Sequence, residues 1–177
     1  MKGKNIPAMV IIVVMLAVLG SMVLAAQDKY TVQVPNGLAF SEFRGYEDWR
    51  VVAVSQTGDL IVVILANPVM IDAYRAGVPG NGKPFPDGSK MAKIHWKAKK
   101  SAEAPAPTMV PDTLHDVDFM VRDSKRFPDS GNWGYAQFNY DGASDTFTPD
   151  GSGTNCGHAC HTIVKAKDYV FTAYGKR

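Results

Sequence analysis

Cys156 and Cys160 stand four positions apart, and His161 follows directly, in the run Cys156-Gly157-His158-Ala159-Cys160-His161. These are the chain's only two cysteines. In an oxidising compartment the ordinary reading of two cysteines is a disulfide. Closing so small a loop would constrain the unfolded chain little. A second reading is zinc: Cys156, His158, Cys160 and His161 offer suitable donors, but four ligands within six residues strain a tetrahedron. The third reading is c-type haem attachment, in which two thiols add to the vinyl groups and the next histidine ligates iron. Two thioethers pin one porphyrin edge, and the adjacent imidazole then reaches iron from one face. The usual form has two residues between the cysteines, whereas this run has three. Gly157 is the expected place for a tight turn that absorbs the extra residue. Attachment through Cys160 alone is the variant of this reading.

The N-terminus bears on the compartment. Lys2 and Lys4 precede a stretch from Asn5 to Gln27 without charge, apolar from Ala8 to Leu19 and ending in Val23-Leu24-Ala25-Ala26. This is the pattern of a signal peptide over residues 1–26, with a mature domain over 27–177. A retained anchor is the alternative, because about 20 apolar residues can span a bilayer. Either reading places the domain outside the cytoplasm, in the periplasm or an equivalent extracytoplasmic space. The formal charge of +2 comes from Lys2 and Lys4; without them, 17 basic side chains balance 17 acidic ones. A neutral domain has no basic excess for nucleic acid. With 46% hydrophobic and 20% charged residues, the chain is globular rather than disordered.

The elements that must position the motif are mostly strands. Arg50 to Ser55 and Leu60 to Leu65 are β-branched runs around Gln56-Thr57-Gly58-Asp59, which predicts a hairpin. Asn67-Pro68 opens a helix that Gly77 closes. Residues 77–88 hold four glycines and three prolines and read as an ordered loop of turns. From Met91 to Lys97 the pattern alternates, with Lys93 and His95 on one face and Ala92, Ile94 and Trp96 on the other. Ser101 to Pro111 reads as a surface connection. Val117, Phe119 and Val121 mark a further strand, Asp123 caps a short helical turn, and Trp133 to Tyr140 alternates again. Asp141 to Asn155 is polar and glycine-rich and leads to the cysteines; Tyr169 to Tyr174 predicts a last strand. The fold class is α+β: a mainly antiparallel sheet with a few short helices and the cofactor attached near the C-terminus.

Three parts of the chain carry a resemblance: Arg122 to Ala136 (RDSKRFPDSGNWGYA), the Cys156–His161 motif, and Asp168-Tyr169-Val170-Phe171-Thr172. With Tyr46-Glu47-Asp48-Trp49-Arg50 and Phe85-Pro86-Asp87-Gly88, they resemble the cytochrome P-460 family over roughly residues 40–174. That family includes hydroxylamine-oxidising enzymes and the cytochromes c′-beta, which bind nitric oxide. The resemblance implies a largely β fold, often dimeric, with one covalent haem c held at Cys156 and Cys160. It makes His161 the iron ligand and leaves the distal side open. The extra residue between the cysteines departs from the family's usual spacing.

The resemblance also implies further candidates. In the family's enzymes a lysine bonds to the haem macrocycle; by position this is Lys93, with Lys90 second, and the ordinary alternative is a solvated lysine. Arg50 is a candidate for a haem propionate or a plain strand-end charge. Phe85 or Phe119 would cap the distal face, or serve only as core. His95, His115 and Met120 are the candidate sixth ligands, each more often structural than ligating. Trp133, Tyr135 and Phe138 read as packing. Three functions follow: binding of nitric oxide or related nitrogen species, hydroxylamine oxidation, and simple electron transfer to a redox partner cytochrome. The oxidising function needs a distal acid, and Glu103, Asp116 and Asp118 are unassigned candidates. A non-haem metal protein is a fourth.

Overall fold

The computed structural model describes residues 26–35, 37–150 and 153–176. Residues 1–25 of the segment read as a signal peptide lie outside the described residues. Among the described residues no helix is long and apolar enough to cross a membrane.

Six antiparallel strands follow one another in chain order: β1 (Arg50–Thr57), β2 (Leu60–Ala66), β3 (Lys90–Lys100), β4 (Met109–Arg122), β5 (Trp133–Asp141) and β6 (Thr146–Pro149). The expected hairpin is β1–β2, turning at Gly58-Asp59. Helix α1 (Pro68–Arg75) joins β2 to β3, and α2 (Gly153–His161) follows β6. The Asn67 side chain caps α1 by accepting from the Met70 N–H at 3.1 Å.

Alternation along the strands gives the sheet two different faces. On one, Ala92, Ile94, Val117, Phe119, Ala136 and Phe138 pack against Leu38, Phe40, Phe43 and Tyr46 of the N-terminal segment. Phe119 stacks on Phe43 with centroids 4.1 Å apart and meets Phe40 edge-on. On the other, Met91, Met120, Trp133 and Tyr135 join α1, Phe85 and Val170 in a second cluster.

Three expectations need correction. Asp141 to Asn155 is not all connection: it holds β6, which pairs with β5, and the start of α2. Tyr169 to Tyr174 forms no strand; it packs as an irregular tail, with the Tyr74 hydroxyl donating to the Thr172 carbonyl at 2.8 Å. Gly157 lies inside α2, not in a tight turn. The Asp123 turn is as expected: its side chain accepts from the N–H groups of Lys125 and Arg126, and its carbonyl accepts from the Phe127 N–H at 3.0 Å, one helical turn on.

Candidate functional site

The second sheet face, α2 and the C-terminal tail enclose a cavity of about 410 Å³. Its floor is two cross-strand rows. Ile64, Lys93, Asp118 and Gln137 are mutual register partners across β2 to β5, and Met91, Met120 and Tyr135 form the next row. Cys156, Gly157, Cys160 and His161 line one wall, and Val170, Phe171 and Thr172 another.

Helical backbone explains how three intervening residues are accommodated. Positions i and i+4 lie one above the other on a helix face, so Cys156 and Cys160 both face the cavity, with His161 beside them. Both cysteines are free thiols, not a disulfide. Gly157 sets the depth of docking: a Cβ there would lie 2.5 Å from Cβ and Cγ of Tyr135, so the helix backbone rests directly on that side chain. Thr154 fixes the same contact. Its hydroxyl accepts from the Tyr135 N–H and donates to the Tyr135 carbonyl, both at 3.3 Å, where β6 does not reach along β5.

His161 ends α2 with its ring against Tyr135 and Phe171. Its Nδ1–H donates to the Tyr169 carbonyl at 2.6 Å. A carbonyl only accepts, so the proton sits on Nδ1 and Nε2 keeps its lone pair. Burial holds this imidazole below the usual histidine range, outweighing the Tyr169 bond, and the neutral ring is the ligating form. Asp168 and Tyr169 have φ of 51° and 62°, a left-handed pair that turns the tail back toward the helix. The Asp168 carboxylate anchors this turn by accepting from Arg122 Nη1 at 2.9 Å and from the Phe85 N–H at 2.7 Å.

The family model for cytochrome P460 matches residues 43–172, well over half of the chain and every residue that lines the cavity. The chain belongs to the cytochrome P460 family. No curated protein matches it. Family membership implies that the chain binds haem.

The residues present fit such a group. Two thiols and a neutral imidazole with a free lone pair border one cavity, whose wall is otherwise largely apolar. The buried Tyr135 hydroxyl and Asp118 Oδ1, both in this cavity, have no hydrogen-bond partner among the described residues. The zinc arrangement is not formed: among the described residues, the His, Cys and carboxylate donors that converge are His95, Asp116 and Asp118, not the motif. His158 instead lies against the Tyr169 ring.

Of the other sequence candidates, Lys93 lines the cavity with Nζ 3.9 Å from Asp118 Oδ2. Lys90 does not line it; its Nζ donates to the Glu42 carbonyl. Arg50 is exposed at the start of β1 and borders a separate hollow with Trp49 and Arg75, so it lies away from the cavity. Met120 is in the floor, whereas His95 and His115 both bond Asp116 and line no part of the cavity. Phe119 touches the cavity, but its ring stacks in the opposite cluster; Phe85 is buried between Tyr74 and Trp133. Of the three candidate acids, only Asp118 reaches the cavity. Burial, reinforced by Asp116, raises its carboxyl to about 6. Met91, a second thioether in the floor, was missed because strand alternation alone does not tell which face meets the cofactor.

Proposed function

We propose that this chain is an exported monohaem c-type cytochrome that binds nitric oxide or related small nitrogen species. The carrying observation is the placement of Cys156 and Cys160 one helical turn apart beside His161, whose Nδ1–H is committed to Tyr169. In this reading the two thiols hold haem c through thioethers and His161 Nε2 ligates its iron. When bound, such a haem would supply an iron that exchanges electrons and takes a small ligand. The chain's residues do the rest. Gly157 and Thr154 seat α2 on Tyr135 and keep both thiols facing the cavity. Tyr169 holds the imidazole in its ligating tautomer. Ile64, Met91, Met120 and Val170 exclude water. The engagement of His95 and His115 with Asp116 supports an open sixth position. Electrons would pass to a redox partner cytochrome, and the working form would be a homodimer in the periplasm.

A second reading is hydroxylamine oxidation, favoured by Lys93 and Asp118 facing the cavity together. Lys93 is the group that would bond the macrocycle, and Asp118 the carboxylate that would accept substrate protons. A simple electron carrier would instead need Met91 or Met120 as sixth ligand. Optical spectra of the purified protein separate the three. A high-spin ferric spectrum, with nitric oxide bound after reduction, is expected. A strongly red-shifted ferrous Soret band with hydroxylamine turnover would select the second reading, and a low-spin spectrum without added ligand the third.

A further inference from the structure

Beside the cavity floor lies a buried polar array that the proposed function leaves unused. His95 and Asp116 are register partners across β3 and β4, two residues along from the Lys93–Asp118 pair and on the same face. Asp116 is 3% exposed, yet both of its oxygens are engaged. His95 Nδ1–H donates to Oδ1 at 2.5 Å, and His115 Nδ1–H donates to Oδ2. His115 reaches that face through a β-bulge: His95 pairs with Asp116 and Trp96 with Leu114, so His115 is the extra residue. A ring nitrogen of His95 and one carboxylate oxygen each of Asp116 and Asp118 lie within 4.8 Å of one another.

We propose that His95 and Asp116 are positioning residues that set the charge of Asp118, and so decide whether Lys93 faces the cavity as an ion pair or as an unbalanced cation. The groups around Asp118 are Lys93 and His95 on β3, Asp116 on β4, uncharged Gln137 on β5, and Asp150 beyond β6. Burial and the Asp116 and Asp150 carboxylates favour the protonated form, while His95 and Lys93 favour the ionised one. Asp116 cannot relieve this conflict by taking a proton itself, because two imidazole N–H groups stabilise its carboxylate. A proton leaving Asp118 passes to solvent and leaves a neutral Lys93–Asp118 pair. A proton taken up leaves the Lys93 cation unbalanced and adds an Asp118 O–H donor beside it, which suits a small anion. This rests on the proposed function only for the identity of what fills the cavity.

The test is a pH-difference infrared titration of the purified chain, with its visible spectrum recorded on the same sample. A protonated-carboxyl band should grow in as pH falls through about 6 and be missing from Asp118→Asn. The two neighbours should move that midpoint in opposite directions, Asp116→Asn down and His95→Gln up, each by about one unit. Lys93→Met, at a side chain 45% exposed and therefore tolerant of change, should also move it up. A midpoint near 4, or the same direction of shift in Asp116→Asn and His95→Gln, overturns the proposal; if either variant fails to fold, the unmoved midpoint of Lys93→Met does so. Loss of the haem spectrum with the switch intact would count against the proposed function alone.

Discussion

Arg122 and Asp168, 46 positions apart, form a buried ion pair at 2.9 Å, with side chains 9% and 12% exposed. The pair joins the end of β4 to the left-handed turn that aims the Tyr169 carbonyl at His161. Two of the three stretches that carry the family resemblance, beginning at Arg122 and at Asp168, therefore meet at one contact. Removing one partner leaves a buried charge uncompensated, at a cost of about 3–5 kcal/mol. Arg122→Ala should lose that much in urea unfolding. Arg122→Met with Asp168→Leu should lose clearly less, because no charge is orphaned. Equal losses would show that the pair acts only through its volume.

Gly157→Ala sets two effects against each other. Helix propensity favours alanine by about 1 kcal/mol. The added Cβ would lie 2.5 Å from Tyr135, and overpacking of this kind costs about 1–3 kcal/mol. The clash should win, because the contact is with the root of the Tyr135 side chain, which cannot swing aside. The variant should have a lower urea midpoint and retain less haem, and Tyr135→Ala in the same chain should restore part of both. A Gly157→Ala protein more stable than the parent would mean that α2 does not rest on β5.

Asp118 ties stability to pH. Its carboxyl is raised from 3.8 to about 6, so between those values the folded chain holds a proton that the unfolded chain has lost. Stability therefore falls as pH rises from about 4 to 6. Asp116 has the opposite sign: its hydrogen bonds to His95 and His115 hold it below the usual range, so its contribution is lost as pH falls below 3.8. Asp118→Asn should match the parent near pH 4 and exceed it at pH 7.5, as read by urea midpoints. A gap that widens toward acid pH would contradict the sign.

Lys93 lies in the floor with its Nζ toward Asp118. Under the ligand-binding reading it carries no bond to the cofactor. Proteolysis of the exported protein should yield haem on the peptide containing Cys156 and Cys160, with the Lys93 peptide free. Recovery of the Lys93 peptide on the same haem would transfer the assignment to hydroxylamine oxidation.

Much of the sheet was legible because a half-buried strand has period two. Met91 to Lys97 and Trp133 to Tyr140 alternate, and their alternation gave the faces on which Lys93 and Tyr135 now stand. The cysteine–histidine run was legible as chemistry but not as a helix. Gly153 and Gly157 lower helix propensity, and the reason for Gly157 is a contact with a distant strand. The tail from Tyr169 looked like a strand because it is rich in β-branched and aromatic residues, yet those side chains pack into the second cluster and the cavity wall without sheet pairing. Short β6 was hidden in a polar stretch. Asp118 could not be chosen over Asp116 and Glu103, because cross-strand register and a bulge decide which acid meets the cavity.

The most direct measurement is the intact mass, under denaturing conditions, of the protein exported by cells that mature c-type cytochromes. The parent should carry the mass of one haem. Cys156→Ala and Cys160→Ala should each retain it less completely, and the double variant should carry none. A parent with the mass of bare polypeptide, or a double variant that still holds haem covalently, would contradict attachment at this helix.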